Sequence, residues 1–211
     1  MEARVVTVAR KLGARGEEVG RALAAGLGFQ YIDDEVIAWA AEQAGVSPES
    51  VSRAEHTGPA LARVLASLAI APAEPGAYAS MELVAALPDY SSQAYRHLIA
   101  QVIRDRAEKG GAVFVAHGAA IALAGMAGVL RVMVTASPEV RAGRVAEEGG
   151  LSNREAAKAV ADSDHERAQF FSRIYRLDEE LPTHYDLVVN TDVLSVEEAT
   201  AAVLAAAKGS R

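Results

Sequence analysis

The chain has 211 residues, 51% of them hydrophobic, a formal net charge of −7 and no cysteine. That length suits one compact domain, or a core with a mobile appendage. The acidic balance excludes a non-specific nucleic-acid binder, and the missing thiol excludes disulfides, cysteine-zinc sites and thiol nucleophiles.

The N-terminus runs straight into a β-branched segment, which predicts no signal peptide and a cytoplasmic protein. Val5, Val6 and Val8 form a first strand, a loop carries Gly13 and Gly16, and Val19, Leu23 and Leu27 then recur four apart as on one helix face. Strand, glycine loop and helix is a geometry that cradles phosphates, because the free N–H groups of a helix start face an anion. The spacing G-x-x-x-x-G-K-[ST] does not fit: counted from Gly13, the second glycine falls on Glu18. Glu17 and Glu18 favour the helix dipole and repel a phosphate. An ordinary strand-turn-helix with an acidic first turn therefore remains an equal reading.

A second strand, Phe29 to Ile32, is expected to end at Asp33-Asp34, which caps a helix from Glu35 to Gln43. Trp39 on it is expected to anchor the core. Ser47-Pro48-Glu49 starts another helix. Residues 46–90 are Ala- and Pro-rich, with a helical pattern at 61, 64, 65 and 68 and a loop at 71–76, and predict a peripheral helical insertion.

Ser91 to Lys109 reads as an amphipathic helix. The uncharged run Gly110 to Leu130 is long enough to raise a membrane span, but it holds His117 and five glycines. It reads instead as strand, turn, short helix, strand. Ser137-Pro138-Glu139 opens the next helix, Ser152 and Ser195 open capping boxes, and Tyr185 to Asn190 is the last strand. Apolar strands alternating with helices predict a parallel sheet covered on both faces. Ligands bind beyond the carboxyl ends of such strands, where the first loop, Asp33, His117 and Ser137 all fall. Arg141 and Arg144, three apart on one helix, Asp164 and Arg167, and then Arg173 and Arg176 on the same helix, suit an anionic ligand or a solvated charged face.

The order of these segments resembles the cytidylate kinase-like family of P-loop nucleoside monophosphate kinases. Gly13 to Arg21 resembles its modified phosphate loop, and Tyr31 to Ile37 its Tyr-Tyr-Asp-Lys-Glu-Leu-Ile segment. Ala136 to Arg144 resembles the helix before its lid, Asp164 to Ala168 the lid's Asp-x-x-Arg, and Tyr185 to Thr191 its last strand. The resemblance implies a P-loop-kinase α/β fold with core 1–45, 91–147 and 183–211, insertion 46–90 and lid 148–182. It implies phosphoryl transfer from ATP, with Mg2+, to a small-molecule nucleotide such as CMP. By position, Gly13, Ala14, Arg15, Gly16, Arg141 and Arg144 would bind phosphates. Arg15, Arg144 and Arg167 would act in catalysis. Asp33, His117, Asp164 and Arg167 would hold the acceptor, and no residue is assigned as a metal ligand. Neither nucleic acid nor membrane is expected as a partner; a homodimer through 46–90 is conceivable. Two cations of the family pattern are replaced, by Glu17 and by the His117 of Ala116-His117-Gly118. The alternative is thus a nucleotide-binding or regulatory protein with weak or no turnover.

Overall fold

Five short strands, β1 (Val5–Arg10), β2 (Gln30–Ile32), β3 (Ala112–Val115), β4 (Val129–Thr135) and β5 (Leu187–Asn190), pair into one parallel sheet in the order β2-β3-β1-β4-β5. The structure is a computed structural model that describes residues 2–45, 47–49, 51–52 and 88–209. The expected helix around 61–68 and loop at 71–76 lie outside the described residues.

Side-chain alternation along the strands divides the core in two. Val6, Val8, Val113, Val115, Val132 and Val134 face α1 (Gly16–Leu27) and the C-terminal helix. Val5, Ala112, Phe114 and Val129 face α2 (Glu35–Ala44) and α3 (Pro88–Glu108). Both faces are therefore apolar, as the continuous β-branched runs predict. The uncharged run forms β3, the short helix α4 (Ala119–Ala122) and β4. Among the described residues no helix is long and apolar enough to cross a membrane.

After β4 come α5 (Pro138–Gly149) and α6 (Asn153–Phe170), which pack on each other, and after β5 comes α7 (Val196–Lys208). Ser152 and Ser195 form full capping boxes, and the Ser137 hydroxyl accepts from the Val140 N–H. Three expectations differ. Asp34 precedes α2 without a side-chain cap, because its own backbone is already helical and the Val36 and Ile37 N–H groups donate to the Asp33 and Asp34 carbonyls. Trp39 is half-buried at the rim of the core rather than an anchor inside it. Arg173 and Arg176 do not continue α6: a π-helical turn, Phe171–Tyr175, follows it, and Arg176 ends that turn in the left-handed region.

Candidate functional site

The loop between β1 and α1 leaves the middle strand of the sheet. The Ala14 N–H donates back to the Lys11 carbonyl at 3.0 Å, so the chain turns at once. Gly13 (φ +74) and Arg15 (φ +61) are both left-handed. Glycine is required at 13, where a Cβ would lie 2.7 Å from the Arg141 carbonyl oxygen.

Three successive carbonyls of this loop are held from behind. Arg141 Nη1 donates to Leu12 O at 3.4 Å, Arg144 Nη1 to Gly13 O at 3.1 Å, and the Thr191 hydroxyl lies 3.0 Å from Ala14 O. The peptide bonds are all trans, so each N–H points opposite to the carbonyl of its own plane. Pinning oxygens 12, 13 and 14 to α5 and the end of β5 turns the N–H groups of 13 and 15 the other way. There they join the first-turn N–H groups of α1, which have no intrahelical acceptor. The loop borders a hollow of about 130 Å³ lined by Arg10, Lys11, Gly13, Arg15, Gly16 and Glu17, together with Glu18 and, from α5, Glu148. Gly16 meets Arg10 there, since a Cβ on it would come 2.4 Å from Arg10 Cβ. The Arg15 side chain leans toward Glu18, at 3.9 Å, and its charge also acts on Glu197.

Arg141 is 1% exposed and fully engaged. Besides Leu12 O it donates from Nε to Ala136 O, and both Nη groups grip Asp164 at 3.0 and 2.6 Å. Arg144 also donates to both the hydroxyl and the carbonyl of Thr191.

The second element is the turn after β3. Ala116, His117 and Gly118 are consecutively left-handed, although only the last is glycine. The Ala116 N–H donates to Val8 O at 3.1 Å, the Tyr175 hydroxyl donates to His117 O, and the Tyr175 ring fills the space a Gly118 side chain would need. His117 Nε2 is thereby held 3.6 Å from Asp33 Oδ1, an ion-pair distance. The Tyr31 hydroxyl donates to Asp33 Oδ2 at 3.1 Å. Burial raises the Asp33 pKa, but His117, Arg10 and Tyr31 together outweigh it and hold the carboxyl below its ordinary range. Burial, and then the Asp33 charge, push Tyr31 up to about 12. Asp33, Asp34 and His117 offer ligand atoms within 4.8 Å of one another, a donor set that suits a divalent cation.

The third element lies under α6. Arg167 donates to both carboxylate oxygens of Glu180, at 2.7 and 2.6 Å, and its guanidinium sits 4.8 Å from the centre of the Phe171 ring. The Tyr185 hydroxyl donates to the same carboxylate. Burial pushes Glu180 up, but the Arg167 bonds and charge and the Tyr185 hydroxyl outweigh it, leaving the carboxyl below its ordinary range. Burial and the Glu180 charge raise the Tyr185 phenol. These side chains, with Lys11, Asp164 and Phe171, line a cavity of about 350 Å³.

The structure thus gathers Gly13, Ala14, Gly16, Arg141 and Arg144 around one loop. It splits the expected acceptor group: Asp33 pairs with His117, whereas Asp164 and Arg167 border the cavity under α6. The sequence reading had not singled out Arg10, Lys11, Asp34, Glu180 or Thr191. Arg10 and Lys11 stand at the carboxyl end of the middle strand, which is itself a signal for a binding position. Glu180 carries no local signal, because it is defined by a partner 13 residues away.

The sequence pattern of the cytidylate kinase-like family matches residues 5–193. The chain belongs to this family. A cytidylate kinase of Pyrobaculum arsenaticum is 37% identical over 95 residues, a match spanning 45% of this chain and 51% of that protein. Among solved structures, an uncharacterized protein from Eubacterium ventriosum superposes with a TM-score of 0.67 at 16% identity, covering 96% of this chain and 97% of its own. A shikimate kinase from Bacteroides thetaiotaomicron gives 0.49 at 15% identity, over 94% of this chain and 95% of its own. Membership in the cytidylate kinase-like family makes the loop after β1 the place to ask how a nucleotide is held.

Proposed function

We propose that this cytidylate kinase-like protein transfers the terminal phosphoryl group of ATP to a nucleoside monophosphate, with CMP the first acceptor to try. The observation that supports this reading is the loop after β1, whose carbonyls are tied back while its amides face the hollow. Fixed amides stabilise phosphate charge without reorganising, which is what phosphoryl transfer asks of a protein. Gly13, Arg15, Gly16 and the first turn of α1 hold the donor phosphates; Arg141 and Arg144 keep the loop in shape. Arg15, which borders the hollow, and Arg167, which lines the cavity under α6, are the cations offered to the transferring group, with Arg144 acting through the loop it holds. Asp33 and His117 orient the acceptor. Asp33, Asp34 and His117 are the residues that would hold a Mg2+ ion, which would supply neutralisation of phosphate charge.

Purified protein given ATP, Mg2+ and a panel of nucleoside monophosphates is expected to make a diphosphate and ADP. Diphosphate from none of them defeats the reading. A second reading is favoured by the Arg167–Glu180 grip and by Glu17 at the mouth of the hollow: nucleotide binding without turnover. Calorimetric binding of ATP or CMP by a protein that yields no product supports it.

A further inference from the structure

Among the described residues of the hollow in front of the first loop, one cation has a donor that is both shielded from water and without an acceptor. Arg10, the last residue of β1, has an Nε–H that is shielded from water and has no partner. A shielded donor without an acceptor is costly, and native proteins keep few of them. Among the described residues the rest of the guanidinium is held by one contact, Nη2 to Glu17 Oε1 at 2.7 Å, in a pair whose side chains are 29% and 47% exposed. Exposed pairs of this kind contribute little to stability. Arg15 reaches only Glu18, at 3.9 Å and in the open, whereas the arginines behind the loop and under α6 are tied firmly. Arg141 is buried and bound by Asp164 and two carbonyls, Arg144 is bound by Gly13 and Thr191, and Arg167 is gripped at both ends of a half-buried carboxylate.

The position of Arg10 suits a ligand as well as its vacancy does. Its Cβ lies against Gly16, at the start of α1, so its stem is seated under the amides that face the hollow. Its charge also acts on Asp33, on the acceptor side. Glu17 is the one carboxylate that touches it among the described residues. A phosphate oxygen carries more charge than half of a solvated carboxylate and accepts from Nε and Nη together, which Glu17 does not do.

We propose that Arg10 is the exchangeable phosphate-binding cation of the first loop and that Glu17 holds it only until a nucleotide phosphate takes its place. This inference rests on the nucleotide-binding reading above. It also accounts for an acidic residue at 17: the carboxylate keeps Arg10 beside the hollow and gives it up at small cost. Arg10 here is a binding residue, and Glu17 a positioning residue acting through it.

The test is a double-mutant cycle on ATP affinity in the full chain with Mg2+, read by calorimetry: wild type, Arg10→Met, Glu17→Gln and the double variant. Methionine keeps the stem that packs on Gly16. Arg10→Met is expected to weaken ATP binding by about tenfold to a hundredfold, the range for hydrogen bonds to charged groups. Glu17→Gln is expected to tighten it about threefold to fivefold in the wild-type background, by releasing Arg10 and removing a like charge. In the Arg10→Met background that gain should shrink to less than half. Because the hollow is at the surface, equal thermal melting of all four proteins is the folding check, and Arg10→Lys, which keeps the charge and loses the fork, serves in place of Met if that variant melts early. An equal Glu17→Gln gain in both backgrounds overturns the inference, as does wild-type affinity in Arg10→Met, and both leave the nucleotide-binding reading intact. Absence of ATP binding in all the proteins overturns both.

Discussion

Arg141 and Arg10 bear on the same loop, one from α5 and one from the end of β1. Arg141 has no exposed surface to speak of, and its Nε and both Nη groups all have acceptors. Arg10 keeps nearly a third of its side chain in water, one bond to Glu17 and one idle donor. The charge is the same, but the saturation is not. A saturated, buried guanidinium fixes the backbone around it; an unsaturated one at a rim is free to meet a ligand. The same distinction separates the rear of the loop, where carbonyls 12, 13 and 14 are tied, from the front, where the amides lie.

The contrast is tested most severely at Arg141. Arg141→Met leaves the Leu12 and Ala136 carbonyls and the Asp164 carboxylate without their donor. Asp164 keeps some access to water, so the loss of stability is expected at about 3–4 kcal/mol, toward the lower part of the range for broken buried pairs. Chemical denaturation measures it. Arg10→Met should lose under about 1 kcal/mol in the same experiment, as for a surface pair. Equal losses would erase the distinction between rear and front.

Gly13→Ala attacks the rear from the loop itself. The left-handed backbone is strained for alanine, and the new Cβ meets a main-chain oxygen held by α5. A loss of about 2–3 kcal/mol is expected, with a larger relative loss of ATP affinity because the amides no longer line up. Wild-type stability and wild-type ATP affinity in this variant would show that the turn is not built as described.

Much of the scaffold is legible in the sequence because its signals are local. β-Branched runs give the strands, Ser-x-x-Glu gives the caps of α6 and α7, and the mixture of glycine and valine in 110–130 gives strand-turn-helix-strand rather than a membrane span. Arg141 and Arg144 are legible as a pair on one helix face after a strand. Their task at the loop is not, because Leu12 and Gly13 lie about 130 residues away in sequence. Asp34 misleads for the opposite reason: its local capping pattern is good, but the backbone carbonyls of Asp33 and Asp34 already take the Val36 and Ile37 amides. Glu180 and Thr191 gain meaning only from long-range partners, which no spacing rule reports.

Glu180 extends the comparison to the cavity under α6. Its folded pKa lies below the ordinary 4.5, so the stability it contributes is complete above that value and is lost as pH falls through the folded value. The melting temperature of the wild type should therefore drop as pH is lowered from about 5 toward 3, and Glu180→Gln should flatten that drop while losing about 1–2 kcal/mol at neutral pH. An unchanged acid slope in Glu180→Gln would assign the slope to other carboxylates, and the Arg167 grip would count as a surface contact like that of Arg10.

The smallest expected effect on ATP affinity is at Thr191, and it separates two accounts of the rear wall. The hydroxyl has one proton for two carbonyls, Ala14 O at 3.0 Å and Thr135 O at 3.3 Å, while its lone pairs accept from Arg144. Thr191→Val keeps the shape and removes both functions, which should lose about 1 kcal/mol. Arg144 retains its bonds to Gly13 O and Thr191 O, so the loop stays closed and ATP affinity should fall less than threefold. Thr191→Ser restores the hydroxyl and should recover most of the stability. If Thr191→Val instead lowers ATP affinity as far as Gly13→Ala does, then the single tie on Ala14, rather than the joint hold of three carbonyls, sets the direction of the amides.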